Sequence, residues 1–150
     1  MSTEIDKQST LIFLCVANSA RSQMAEGLAN ASAPDGWRIF SAGAAPTLVH
    51  PLAIEVLHEV DIDISKAQSK GLDDVPIDDA DFVVTLCEDQ VCPTLPKNAE
   101  HLDWALPDPV GAGDQIRFQL EAFRDTRDEI KQRLESFWKD KLYAIAERDA

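Results

Sequence analysis

Short apolar runs alternate with amphipathic stretches along this chain, and the alternation predicts strands that take turns with helices. The clearest runs, over 11–14 and 82–86, are almost wholly apolar, which is typical of strands buried on both faces of a sheet. The amphipathic stretches repeat apolar residues every three or four positions, as one face of a helix requires. The predicted elements are strands over 11–14, 37–41, 82–86 and 100–104, and helices over 22–31, from about Pro51 and from Asp114 onward.

This order of elements predicts a parallel sheet, because the connection between two parallel strands is normally a helix packed on one face. The predicted fold is α/β: a doubly wound, four-stranded parallel sheet with helices on both faces. Residues 1–9 are predicted to form a flexible leader, and residues 10–150 a single domain. In such folds, functional sites form at the carboxyl ends of the strands.

Composition and charge exclude several classes of partner. The net charge of −13 argues against binding to nucleic acid or to an anionic membrane surface. No apolar stretch reaches membrane-spanning length and the N-terminus does not resemble a signal peptide, so the cytoplasm is the predicted location. The 3 cysteines suit reactive thiols better than a disulfide framework. Neither a zinc-binding spacing nor a nucleotide-binding glycine loop is present, so no metal or cofactor is predicted.

The most informative motif lies between the first strand and the first helix, where Cys15 precedes Arg21 and Ser22. A short loop of this kind can turn successive backbone N–H groups inward to bind a tetrahedral oxyanion, and the following helix N-terminus adds donors. Arg21 supplies a planar fork for two oxygens. The same positive field favours a thiolate nucleophile at Cys15. The predicted oxyanion-binding residues are Val16, Ala17, Asn18, Ser19, Ala20, Arg21 and Ser22.

Two residues of this loop have more specific expectations. Asn18 tolerates the left-handed backbone that a tight loop needs. Ser22 is interpreted either as a cap of the helix or as a hydrogen-bond donor to the thiolate of Cys15, and both roles are compatible. The alternative to a functional loop is a buried cysteine at a strand end, beside a capping serine and a surface arginine.

Two further groups are predicted to join Cys15 at the same edge of the sheet. Cys87 follows the third predicted strand, and Asp108 follows the fourth. Asp108 stands between two prolines, in a stiff loop that can hold a carboxyl group above a bound anion as a general acid. Its alternative role is that of an ordinary turn aspartate.

At this point the chain resembles a known family, the low-molecular-weight protein tyrosine phosphatases, and within that fold the arsenate reductases. The resemblance covers about residues 10–135. It implies that Cys15 attacks the arsenic of arsenate, that Arg21 and the loop N–H groups hold the oxyanion, and that Asp108 protonates the departing oxygen. The stretches that carry the resemblance are 15–27, 41–43 and 108–109 for the family, and 83–87 with 92–96 for the reductases.

The resemblance also implies a role for each cysteine. Cys87 would attack Cys15, release arsenite and leave a Cys15–Cys87 disulfide, and Cys92 would then attack Cys87 to form a Cys87–Cys92 disulfide. In relatives with this arrangement thioredoxin reduces the final pair, and glutaredoxin is the alternative donor. Every step is a thiolate attack on sulfur or arsenic. The insert 88–91 is shorter than in the best-known thioredoxin-linked relatives, which leaves the size of the conformational change open.

Two other functions fit the same residues. One is a phosphatase, which would need the loop and the general acid but neither of the outer cysteines. The other is a non-catalytic oxyanion or redox sensor that signals through oxidation of Cys15 and Cys87. Two departures favour the reductase: Ala20 stands where the phosphatases carry a second cysteine, and Val110 where they carry an aromatic residue. We expect a monomer.

Some relatives bind a potassium ion near the loop, and their ligands correspond to Asn18, Glu26, Ser41 and a carboxylate. In this chain Lys70 stands at the position of that carboxylate. The resemblance therefore implies that an ammonium group replaces the ion, because two positive charges would otherwise crowd one site.

Overall fold

The computed structural model describes residues 9–87 and 96–149, with side chains as far as Lys141. Its centre is a single sheet of four parallel strands in the order β2-β1-β3-β4, which confirms the predicted fold class. The strands are β1 (Ser9–Cys15), β2 (Trp37–Gly43), β3 (Phe82–Thr85) and β4 (Glu100–Asp103). The α-helices are α1 (Arg21–Ser32), α2 (Pro51–His58) and α3 (Ile116–Asp149).

The strand bounds differ from the predicted ones by one or two residues. β1 begins at Ser9, whose N–H donates to Gly36 O at 2.9 Å, so pairing starts at the last residue assigned to the leader. β2 continues to Gly43 because that residue still pairs with Cys15. Residues 1–8 lie outside the described residues, and the division into a leader and one domain stays a prediction.

The two faces of the sheet are covered differently. Leu11 and Phe13 of β1 pack against all three α-helices in the larger core cluster. Ile12 and Leu14 point to the opposite face, where two 3-10 turns between residues 72 and 79 cover them. Among the described residues, the helical cover of this second face therefore consists of single turns. Each of these fully buried side chains contributes about 1.5–3 kcal/mol of hydrophobic stabilisation.

α3 is a long amphipathic helix, as its sequence predicts. Its buried stripe includes Phe123, Ile130 and Leu134, which belong to the larger core cluster with the other two helices. Its polar face carries many charges, and no described helix combines the length and the apolar composition that crossing a membrane requires.

An ion-pair network attaches the end of α2 to α3. Glu59 accepts hydrogen bonds from Arg124 at both oxygens, at 3.1 and 2.7 Å for Oε2 and at 3.0 Å for Oε1, and Arg127 donates to Oε1 at 2.9 Å. The hydrogen bonds from Arg124, with those from Arg127, lower the pKa of Glu59 to about 2. The network therefore stays ionised at neutral pH and keeps α2 in place beside the strand ends.

Candidate active site

The Cys15 loop (residues 15–21) joins the carboxyl end of β1 to α1. Three of its carbonyl oxygens accept hydrogen bonds from the segment 45–50, which crosses the outer side of the loop. Because the N–H of a planar peptide unit points away from its carbonyl, these bonds turn the N–H groups of the loop inward. The pairs are Val16 O with Ala45 N at 2.8 Å, Ala17 O with Thr47 N at 3.2 Å, and Ser19 O with His50 N at 3.0 Å.

Asn18 determines the curvature of the loop, and it is fully buried. Its φ of 47° lies in the left-handed region, which asparagine adopts more readily than most residues. The side-chain oxygen accepts hydrogen bonds from Lys70 N and from Gln23 Nε2. The side-chain nitrogen donates to the hydroxyl groups of Ser22 and Ser41, at 2.9 Å each. These four partners leave the amide only one orientation.

Cys15 lies at the base of the loop, with its buried sulfur 2.7 Å from Ser22 Oγ. The Ser22 hydroxyl already accepts a hydrogen bond from Asn18, so its single proton is available to the sulfur. Ser22 is therefore placed to donate to the sulfur. The interpretation of Ser22 as the helix cap is wrong, because α1 begins at Arg21 and the cap position is Ala20, which makes no side-chain cap.

The end of β2 supports the loop from the side. Ser41 Oγ accepts from Asn18 and donates to Glu26 Oε1 at 2.9 Å, so the hydrogen-bond chain continues away from the thiol. A Cβ atom on Gly43 would overlap the carbonyl oxygen of Val16, so this position admits only glycine without movement of the backbone. The close approach of β2 to the loop thus explains the Ser-Ala-Gly sequence at residues 41–43.

Arg21 is buried and spans the carboxyl edge of the sheet. Its NH1 donates to Leu86 O at 3.2 Å, after β3, and to Leu106 O at 2.8 Å, after β4. Its NH2 lies 3.9 Å from Asp108 Oδ2. Because the two carbonyl groups already hold the guanidinium, little side-chain entropy remains to be lost when it binds an anion.

Asp108 lies at the mouth of the site, where its side chain is 57% exposed. Its Oδ1 accepts from Val110 N at 3.0 Å and so caps the 3-10 turn Pro109–Gly111. Its Oδ2 faces Arg21. The turn aspartate and the general acid are therefore compatible roles, because the local cap holds the carboxyl group beside the arginine.

These groups line one cavity of about 310 Å³. It brings the thiol, the guanidinium and the carboxyl group together, as the sequence predicts. His50 is a wall residue that the sequence analysis missed, although its position between β2 and Pro51 was a signal, because sites of parallel sheets form after strand ends. The described lining residues are Cys15, Val16, Ala17, Ser19, Ala20, Arg21, His50, Asp108 and Val110.

Some predicted residues do not belong to this lining. Asn18 and Ser22 are completely buried behind the loop, where their side chains serve its shape and the thiol. Cys87 is buried just past the end of β3, the strand that pairs with β1, and it is not among the described lining residues. Cys92 lies outside the described residues. The catalytic roles of all these residues stay predictions.

The hydrogen-bond chain that starts at Cys15 ends in an ion pair. Lys70 Nζ lies 3.3 Å from Glu26 Oε1 and donates to Gln68 O at 3.1 Å. These residues do not fit a resident monovalent cation, because an ammonium group already neutralises the carboxylate. Among the side chains that the structure describes, in residues 9–87 and 96–141, no group of three or more histidine, cysteine or acidic residues is placed to hold a metal ion.

We expect the melting temperature and the activity of the protein to be independent of potassium. The reason is that the Lys70 ammonium occupies the place of a cation beside Glu26. The measurement is a pair of thermal melts, in potassium chloride and in choline chloride at equal ionic strength. A Lys70→Ala variant should acquire a response to potassium, whereas the variant Lys66→Ala, at an exposed lysine four residues earlier in the sequence, should not. A rise of several degrees with potassium in the unmodified protein would contradict the expectation.

The chain matches a known protein family over most of its length. Residues 10–144 match the model of the low molecular weight phosphotyrosine protein phosphatases. An arsenate reductase of Staphylococcus aureus is 42% identical over 135 residues, which cover 89% of this chain and 98% of the relative.

Solved structures agree with the sequence matches. A structure described as an arsenate reductase in the phosphate binding state has a TM-score of 0.75 and 36% identity, and the match covers 89% of this chain and 98% of that chain. The thioredoxin-dependent arsenate reductase of Corynebacterium glutamicum has a TM-score of 0.70 and 30% identity over 92% of this chain and 63% of that chain. This chain therefore belongs to the low molecular weight phosphotyrosine protein phosphatase family and, within it, to the group of the arsenate reductases.

Proposed function

We propose that this protein is an enzyme that reduces arsenate to arsenite. The observation that carries the proposal is the cavity in which Cys15, Arg21 and Asp108 meet, in a chain that has a second buried cysteine, Cys87, at the end of the adjacent strand. The first three groups supply the chemistry of a displacement at a tetrahedral oxyanion. The cysteine at the end of the adjacent strand supplies a thiol for reduction, which a phosphatase does not need.

In the first step the Cys15 thiolate attacks the arsenic of arsenate, and a sulfur–arsenic bond forms while an arsenic–oxygen bond breaks. The departing oxygen takes a proton from Asp108 and leaves as water. The inward N–H groups of the loop and the guanidinium of Arg21 stabilise the charge on the remaining oxygens, and such held donors act most strongly in a site from which water is excluded. Ser22 donates to the sulfur until the attack.

In the second step the thiolate of Cys87 attacks the sulfur of Cys15. The sulfur–arsenic bond breaks and its electron pair stays on arsenic, which is reduced from As(V) to As(III) and leaves as arsenite. A Cys15–Cys87 disulfide remains. Cys92 then attacks Cys87, which regenerates the Cys15 thiolate and leaves a Cys87–Cys92 disulfide. The order of these exchanges rests on the resemblance to the arsenate reductases.

An external dithiol must reduce the final disulfide. The thioredoxin-dependent relative from Corynebacterium glutamicum supports thioredoxin as this donor, and glutaredoxin is the alternative. Because the cycle needs reduced thiols at its start, we propose that the enzyme works in a reducing compartment, the cytoplasm. We further propose that it acts as a monomer, since one chain supplies every described group of the cavity, and light scattering measures this directly.

The proposed function is tested by measuring arsenite release with thioredoxin, thioredoxin reductase and NADPH, beside hydrolysis of an aryl phosphate by the same preparation. Glutaredoxin with glutathione replaces thioredoxin in a parallel assay. Arsenite release with either donor supports the proposal, and the faster donor is identified by the comparison. Aryl phosphate turnover without arsenite release would overturn it in favour of a phosphatase, and no turnover of either substrate would favour a sensor.

A phosphatase is the second candidate, because Cys15, Arg21 and Asp108 are sufficient for hydrolysis of a phosphomonoester. The presence of Val110 argues against phosphatase activity as the main function. This residue lines the cavity and is 42% exposed, and a valine offers less surface than an aromatic ring for stacking on a phenyl phosphate.

Replacing Asp108 by asparagine is expected to slow the first chemical step by roughly 10²–10⁴-fold, since this is the usual contribution of a general acid. The asparagine oxygen can still accept the N–H of Val110, so the turn should be retained. The measurement is the single-turnover rate of arsenite release. Asp103→Asn is the matched control, because Asp103 also accepts a local N–H, from Ala105 at 3.1 Å, but lies outside the cavity. A normal single-turnover rate in Asp108→Asn would reduce Asp108 to a turn residue.

A further inference from the structure

His50 is a wall residue of the cavity that none of the proposed steps uses. It lines the cavity together with Cys15, Arg21 and Asp108. The residue comes from a different part of the chain than the Cys15 loop, because it lies in the connection between β2 and α2. Its side chain is half-buried, so a polar atom on it has a restricted set of partners.

Three features of the surrounding structure locate His50. Its backbone N–H donates to Ser19 O in the Cys15 loop at 3.0 Å. The ring packs on Phe123 of α3, with the ring centres 4.9 Å apart and the planes tilted by 36°. Pro51 follows directly and begins α2. These contacts connect His50 both to the loop that surrounds the thiol and to α3.

The hydrogen bonds of the ring determine where its proton lies. His50 Nδ1 accepts the N–H of Leu52 at 3.1 Å and so caps α2, which requires a lone pair on Nδ1. In the neutral ring the proton is therefore on Nε2. Burial holds the pKa of His50 below its usual value near 6.5, although the charge of Asp108 acts in the opposite direction. At neutral pH the ring is a neutral donor.

The Nε2–H group points away from the capping contact, on the opposite side of the ring. Among the described residues, none accepts a hydrogen bond from it. A donor that no described residue engages, at the wall of an oxyanion cavity, is available to the bound ligand. The loop N–H groups and Arg21 would hold the inner oxygens of a bound tetrahedral anion, which leaves the outward oxygen to the groups at the mouth.

We propose that His50 Nε2–H donates a hydrogen bond to the outward oxygen of the bound oxyanion and thereby favours a free inorganic oxyanion over a phosphomonoester. In arsenate or phosphate this oxygen is a hydroxyl or a charged oxygen, which accepts strongly. In a phosphomonoester it is an ester oxygen, which accepts weakly and carries an organic group that needs space beside the ring. The effect on arsenate turnover rests on the proposed function. The hydrogen bond from His50 to a bound anion does not depend on it.

The test uses His50→Asn. The asparagine oxygen can accept the N–H of Leu52, so the cap of α2 is retained while the Nε2 donor is removed. Because the ring packing on Phe123 is lost, we expect a small fall in melting temperature. The value of kcat/KM for arsenate should fall roughly 10- to 150-fold, the usual effect of losing a hydrogen bond to a charged group. The loss for an aryl phosphate should be smaller, so the ratio of the two values falls. His58→Asn, at the exposed end of the same helix, is the matched control and should leave the ratio unchanged.

A binding measurement separates this inference from the proposed function. Calorimetry in a Cys15→Ser background should show weaker binding of inorganic phosphate when His50 is replaced by asparagine, with a smaller change for phenyl phosphate. If the unmodified enzyme releases no arsenite but this difference appears, the proposed function fails and the recognition by His50 stands. An unchanged affinity for phosphate would overturn the inference. An equal loss for both ligands would do the same, since it would assign His50 a purely structural role.

Discussion

Replacing Cys15 by serine is expected to abolish both arsenate reduction and aryl phosphate hydrolysis, with a loss of roughly 10⁴-fold or more, as is typical when a covalent nucleophile is removed. The serine oxygen is a poor nucleophile at neutral pH because its hydroxyl group remains protonated. The fold should be retained, since the new hydroxyl group can still exchange a hydrogen bond with Ser22. The measurements are arsenite release, aryl phosphate hydrolysis and thermal melting.

The control for this variant is Cys87→Ser, which makes the same chemical change at a buried cysteine just past the adjacent strand. It should retain aryl phosphate hydrolysis, whereas Cys15→Ser should not. Appreciable arsenate turnover by Cys15→Ser would remove Cys15 from the role of nucleophile. A large fall in its melting temperature would instead show that the sulfur contributes mainly to packing at the end of β1.

The second prediction concerns the two outer cysteines. Cys87→Ser and Cys92→Ser are each expected to stop multiple-turnover arsenate reduction with thioredoxin. Neither should impair hydrolysis of an aryl phosphate, because that reaction needs only a thiolate, an anion-binding loop and an acid. The measurement is the number of arsenite molecules released per enzyme, followed beside the rate of phosphate ester hydrolysis.

The two variants should stop at different points of the cycle. Cys92→Ser should release one arsenite and remain as a Cys15–Cys87 disulfide. Cys87→Ser should stop earlier, with arsenic still on Cys15 or lost to an external thiol. Mass spectrometry after a single addition of arsenate identifies the disulfide that each variant accumulates.

The competing interpretation makes Cys87 a buried residue at a strand end and Cys92 an ordinary thiol before a proline. It predicts that both substitutions leave arsenate turnover unchanged, or that they lower both activities together through lost stability. Absence of a Cys15–Cys87 disulfide in Cys92→Ser would contradict the proposed sequence of thiol exchanges. A phosphatase would then be the better-supported function.

Much of the site could be predicted because it depends on strand ends. The apolar runs identify the strands, and parallel strands bring their carboxyl ends to one edge. Cys15 and Asp108 follow two of those strands, so their convergence with Arg21 in one cavity was expected and is observed. The spacing from Cys15 to Arg21 is local, and a local loop is the part of a site that a sequence specifies best.

The residue identities alone therefore determined the fold class, the Cys15 loop and the family to which the chain belongs. Only the tertiary structure decided how the loop is held: the segment 45–50 binds its carbonyl groups, the side chain of Asn18 bonds to Lys70 N and Ser41 Oγ, and His50 becomes a wall of the cavity. The physical reason is the distance along the chain over which each sequence pattern acts. Periodicity and loop spacing act between near neighbours in the chain, whereas these contacts join residues that meet only after the connections following β1 and β2 have packed over the edge of the sheet.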